Sequence, residues 1–99
     1  MSQGVIKVSV SEMGIAENNL RSLQERISEC RLDLLRYNTD LQGAWDGASA
    51  REFDNYTTSV AAPILDQCSD MCYQTANAIR HTCDQFTEAD TTLSGTFKG

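Results

Sequence analysis

Apolar and small residues recur along the first half of the chain at alternating steps of three and four. Met13, Ala16, Leu20, Leu23, Ile27, Cys30, Leu34, Tyr37, Leu41 and Ala44 keep this rhythm without a slip. Such spacing holds one stripe on one face of a helix, as in a coiled-coil seam. The stripe begins behind Ser9 and Glu12, a Ser-x-x-Glu pair whose side chains satisfy the first backbone N–H groups of a helix. Together these predict a helix over about 9–43, roughly 50 Å long at 1.5 Å per residue. Ahead of it, Ile6, Val8 and Val10 alternate as in a short strand or strap.

The second half carries a looser stripe of Phe53, Tyr56, Val60, Ile64, Cys68, Met71, Thr75, Ile79, Phe86 and Leu93. On a helical wheel most of these fall within a band about 100° wide, which predicts a second helix over about 48–90. Pro63 removes the N–H that would reach the Ser59 carbonyl and crowds that carbonyl, so a kink or a division into two helices is expected there. The run from Thr91 to Thr96 is poor helix material, so the helix is expected to fade between Thr87 and Thr92 and residues 94–99 to form a flexible tail. Between the stripes lies Ala44-Trp45-Asp46-Gly47, with the only tryptophan, almost at the midpoint of 99 residues.

Two equal helical arms about a central bend (44–47) define the expected fold. It is all-α, an antiparallel two-helix hairpin forming a single domain over residues 1–99. One hairpin has one seam, too little to cover both stripes, so a second hairpin is expected to complete a four-helix bundle in a dimer. The residues expected in the hairpin or dimer seam are Leu20, Leu23, Ile27, Leu34, Leu41, Phe53, Val60, Ile64 and Met71. Trp45 is expected to cover the ends of both helices, and Gly47 to permit the reversal.

Charge narrows the partners. The net charge is −6 and the isoelectric point about 4.5, which disfavours nucleic acid and anionic membrane. No stretch approaches the roughly 18 apolar residues of a membrane span, so direct membrane insertion is not expected. The first residues lack the basic and apolar regions of a signal peptide, so the chain is expected to be made in the cytoplasm.

Cys68, Cys72, His81 and Cys83 superficially suggest zinc. On a continuous helix, however, Cys72 and Cys83 lie roughly 16 Å apart, far beyond a shared ion. A bridge between Cys68 and Cys72 would be strained, because helix positions four apart hold their Cβ atoms too far from one another. Reduced, metal-free cysteines and no cofactor are expected. One histidine, no phosphate loop and no nucleophile elbow leave no catalytic residues to assign, and no enzyme activity is expected.

The whole chain resembles the WXG family, the ESAT-like helical hairpins exported by type VII (ESX-type) secretion systems. Ile6-Lys7-Val8-Ser9 with Glu12 in the first turn looks like the start of that family's first helix. Trp45-Asp46-Gly47 stands where its Trp-x-Gly bend stands, and Phe86-Thr87-Glu88-Ala89-Asp90 resembles its Tyr-x-x-x-Asp/Glu export signal. Phenylalanine replaces the tyrosine, as in the small WXG-related partners of LXG toxins. The resemblance implies that Phe86 and Asp90 form an export signal read by the secretion ATPase. It further implies that the chain pairs with itself, with a sibling WXG-type hairpin or with the N-terminal domain of an LXG toxin, and is secreted. The alternative is a cytosolic helical-hairpin scaffold or adaptor with no export role.

Overall fold

The computed structural model describes the backbone of residues 9–98 and the side chains of residues 9–87. It is all-helical among the described residues, with helix α1 at Val10–Gln42, α2 at Ala48–Tyr56, a π turn at Thr57–Ala61, and α3 at Ala62–Lys98. The strap expected at Ile6 and Val8 lies outside these residues. Helix α1 starts as the capping pair predicts, with the Ser9 hydroxyl accepting the Glu12 N–H at 3.2 Å. It ends at Gly43, whose N–H returns to the carbonyls of Thr39 and Leu41.

The second arm is one continuous rod, neither split at Pro63 nor finished at residue 90. Ahead of Pro63 the hydrogen-bond register widens, and the Ala62 N–H donates to the Thr57 carbonyl five residues back. The wider turn admits a residue that has no N–H to give. Beyond Pro63 there is no further proline, and threonine, serine and glycine each cost only about 1 kcal/mol or less in a helix. The backbone therefore stays helical to Lys98 through residues 94–98 of the expected tail; Gly99 lies outside the described residues.

The arms lie side by side in opposite directions, a hairpin-like arrangement held by bonds from α1 to α3. Glu17 Oε1 meets Arg80 Nε at 2.9 Å, Arg21 Nη2 donates to Asn77 Oδ1 at 3.0 Å, and the Ser28 and Ser69 hydroxyls stand 3.2 Å apart. Arg31 Nε comes within 2.7 Å of Asp66 Oδ1. That is an ion pair out of line for a hydrogen bond, so this N–H has no hydrogen-bond acceptor among the described residues.

This register brings two heptads together. Met13, Leu20, Ile27 and Leu34 of α1 come level with Cys83, Ala76, Ser69 and Ala62 of α3, large against small, the second set running in reverse order along the chain. The fully buried apolar residues are accordingly small: Ala50, Ala62, Ala76 and Cys83. Between the large residues of α1 sits a polar heptad, Glu17, Gln24, Arg31 and Asn38, in place of the expected Ala16, Leu23, Cys30 and Tyr37.

The π turn explains the change on the second arm. It inserts one residue into the helical count and so rotates everything after it by about 100°. An unbroken α-helix that buries Thr57 would next bury Ile64 and Met71. With the extra residue, Leu65 and Cys72 take those places, and Ile64 and Met71 turn outward. The stripe in the sequence is real, and its phase differs from the one that regular helix geometry predicts.

Candidate functional site

Large apolar residues stay uncovered on both arms, Ile15 and Leu32 of α1 and Tyr73 of α3 among them. One group comprises a set on α1, Leu23, Tyr37 and Leu41, and a set on the second arm, Tyr56, Val60, Ile64 and Met71, with Met71 66% exposed. Each sits one position before a residue facing the other arm. Two antiparallel helices of the same hand turn toward the same side when both step back one residue. The two sets therefore form one apolar face along the pair, while the bonds of Ser28 with Ser69 and of Arg31 with Asp66 lie at the seam and on the opposite side.

Of the nine residues expected in the hairpin or dimer seam, Leu20, Ile27, Leu34 and Phe53 are half-buried. Leu23, Leu41, Val60, Ile64 and Met71 are exposed on the apolar face.

At the middle of α1 the face opens into a shallow groove of about 440 Å³ lined by Arg26, Glu29, Cys30, Asp33, Leu34 and Tyr37. Its floor is apolar. Arg36 holds one edge in place, with its guanidinium 5.3 Å from the centre of the Tyr37 ring and 3.0 Å from Asp33 Oδ1.

At the bend, Trp45 and Phe53 pack as a tilted pair with ring centres 5.8 Å apart, and Trp45 remains 38% exposed. Gly47 has φ 109° and ψ −174°, the only positive φ among the described residues. Inside the bend lies a polar clasp that periodicity could not reveal. Asn38, 5% exposed, donates from Nδ2 to Asp54 Oδ1 at 2.7 Å. Gln42 Nε2 is shared between Asn38 Oδ1 at 3.2 Å and the Ala50 carbonyl at 2.9 Å. The signal in the sequence was the seven-residue spacing of Glu17, Gln24, Arg31 and Asn38, which reads as solvent-facing until a partner is placed on it.

No match was found among family models, curated proteins or solved structures. The chemistry must be read from the molecule itself.

Phe86 lies at the far end of the pair, three residues beyond buried Cys83 and 37% exposed. It continues the heptad of Leu65, Cys72 and Ile79, so it stands at the rim of the seam. The register puts residue 87 level with Val10, the first residue of α1. The last turns of α3, which carry Asp90, thus run past the start of α1; the Asp90 side chain lies outside those described. Cys83 is buried, Cys72 half-buried, and Cys30 and Cys68 exposed, none of them in a disulfide. Among the described residues no three histidine, cysteine or acidic side chains converge as metal ligands, and no helix is long and apolar enough to cross a membrane.

Asn38→Ala tests the clasp. It leaves Asp54 without its bond from Asn38 and Gln42 with only the Ala50 carbonyl, and a loss of about 1–3 kcal/mol is expected in chemical denaturation.

Proposed function

We propose that the chain is a non-enzymatic substrate or targeting partner of a type VII (ESX-type) secretion system. In this reading it is a helical hairpin of WXG type that pairs with a second hairpin, its own copy or a sibling or LXG-toxin domain, into a four-helix bundle. The bundle presents Phe86 and Asp90 to the secretion ATPase. The observation that carries the reading is the uncovered apolar face running along both arms: a hairpin that displays Tyr56, Ile64 and Met71 to water is built to be covered. The Trp45-Asp46-Gly47 bend at the midpoint and the overhang of α3 beyond α1 also support it.

The aromatic and the carboxylate stand four residues apart, one helical turn, so a receptor can grip both from one side. Export separates their roles. Asp90→Ala is expected to abolish secretion of the chain or its partner without lowering its cellular level, because alanine is the better helix former and α3 continues for two turns beyond this position. Asp90→Asn keeps the shape and tests the charge alone. Phe86→Ala is expected to abolish export as well, with some loss of stability from its packing at the seam. Wild-type export of Asp90→Ala, measured in culture supernatant against cell lysate, would remove Asp90 from the signal and leave the cytosolic scaffold as the better reading.

A further inference from the structure

We infer that the partner covering the apolar face is a helix flanked by lysine or arginine, not a second copy of this chain. The inference rests on the docking role of that face and adds the chemistry of what docks. Its ground is an imbalance of unpaired charge around the apolar residues. Arg21, Arg31, Arg36 and Arg80 are all committed to carboxylates within the chain. Of the arginines between residues 9 and 87, that leaves Arg26 and Arg51.

The carboxylates bordering the face are in the opposite condition. Those of Glu12, Glu29, Asp40 and Glu52 have no partner among the described residues. Glu29 also forms part of the wall of the groove beside Arg26, over a floor of Cys30, Leu34 and Tyr37. The flank of α3 facing the same side carries Gln67, Gln74 and His81 in one heptad, with Gln85 beside them, and no lysine or arginine.

A second copy brings the same borders. Whichever way it is turned, the acids of α1 meet either their own counterparts or the amides and the single histidine of α3; on the border of α1 Arg26 is the one arginine without a carboxylate of its own, Arg36 being held by Asp33. Like charges brought together at an interface rim cost affinity and suppress that pairing. A helix with an aliphatic stripe and a basic border satisfies both features at once. Its apolar side chains cover Leu23, Ile64 and Met71, and a lysine or arginine stem lies on the groove floor with its head at Glu29. The uncovered residues run from Leu23 to Leu41 on α1 and from Tyr56 to Met71 on the second arm, so the partner is expected to span much of both arms rather than the groove alone.

Two stapled amphipathic helical peptides with the same leucine–isoleucine stripe serve as probes, one bordered by lysine and the other by glutamate. Titrated calorimetrically into the full chain, the lysine-bordered peptide is expected to bind at least about tenfold tighter at low salt, with the gap closing as salt screens the charges. The exposed double change Glu29→Lys and Asp40→Lys is expected to reverse the preference. Equal binding of the two peptides, or an unchanged preference in that variant, overturns the inference. So does a chain that forms a tight dimer alone at micromolar concentration by native mass spectrometry. That dimer would leave the export reading intact, whereas wild-type export of Asp90→Ala would sink the export reading and not this one.

Discussion

Ile64→Glu combined with Met71→Glu is expected to abolish capture of the partner hairpin while leaving the isolated chain folded. Both side chains are at least half exposed, and glutamate is as good a helix former as either residue it replaces. Helix content and denaturation midpoint are therefore expected to stay within about 0.5 kcal/mol of the wild type, the usual range for surface changes. Binding is another matter. Two carboxylates at the centre of a dry interface would each be buried without a partner, and a loss of about a hundredfold or more is expected. Circular dichroism and co-purification read the two effects separately. Retained capture would show that this face is not where the partner sits; a large fall in stability would show that these side chains belong to the inner seam after all.

The second large effect lies at the bend. Gly47 holds φ 109° with ψ −174°, a combination reached almost only by glycine. A Cβ there meets no atom within 4 Å, so space is not the obstacle; backbone strain is. Gly47→Ala is expected to cost about 1–3 kcal/mol, a large share of the stability of a domain whose fully buried apolar residues are three alanines and a cysteine. The turn must either hold the strained angle or reopen, and reopening pulls Trp45 from Phe53. Thermal melting with tryptophan fluorescence follows both. An unchanged melt would mean that the bend relaxes at no cost and that Gly47 is not needed for the reversal.

The sequence made some of this plain and concealed the rest for identifiable reasons. Ser9 and Gly43 mark the ends of α1 within a residue of where the pattern placed them, because caps are local chemistry. Leu20, Ile27 and Leu34 were legible as seam residues because their heptad is unbroken. The polar heptad from Glu17 to Asn38 was not, since charged residues enter a seam only when the opposite helix offers Arg80, Asp66 or Asp54 to meet them. Pro63 was legible as a disturbance, but its remedy, a π turn, changes the phase of every later residue without leaving a composition signal. Leu23, Ile64 and Met71 were recognised as adhesive; which side of the hairpin they would serve depended on that one extra residue.

Pro63 and its wide turn thereby work as a ratchet set to one notch. Were the second arm to relax to an unbroken α-helix, Ile64 and Met71 would rotate inward, Leu65 and Cys72 outward, and the hairpin would seal itself on its own stickiest side chains. Held one notch over, the molecule closes on small residues and polar clasps and leaves its large apolar side chains facing outward. A single missing N–H thus decides which side chains the two arms bury between them.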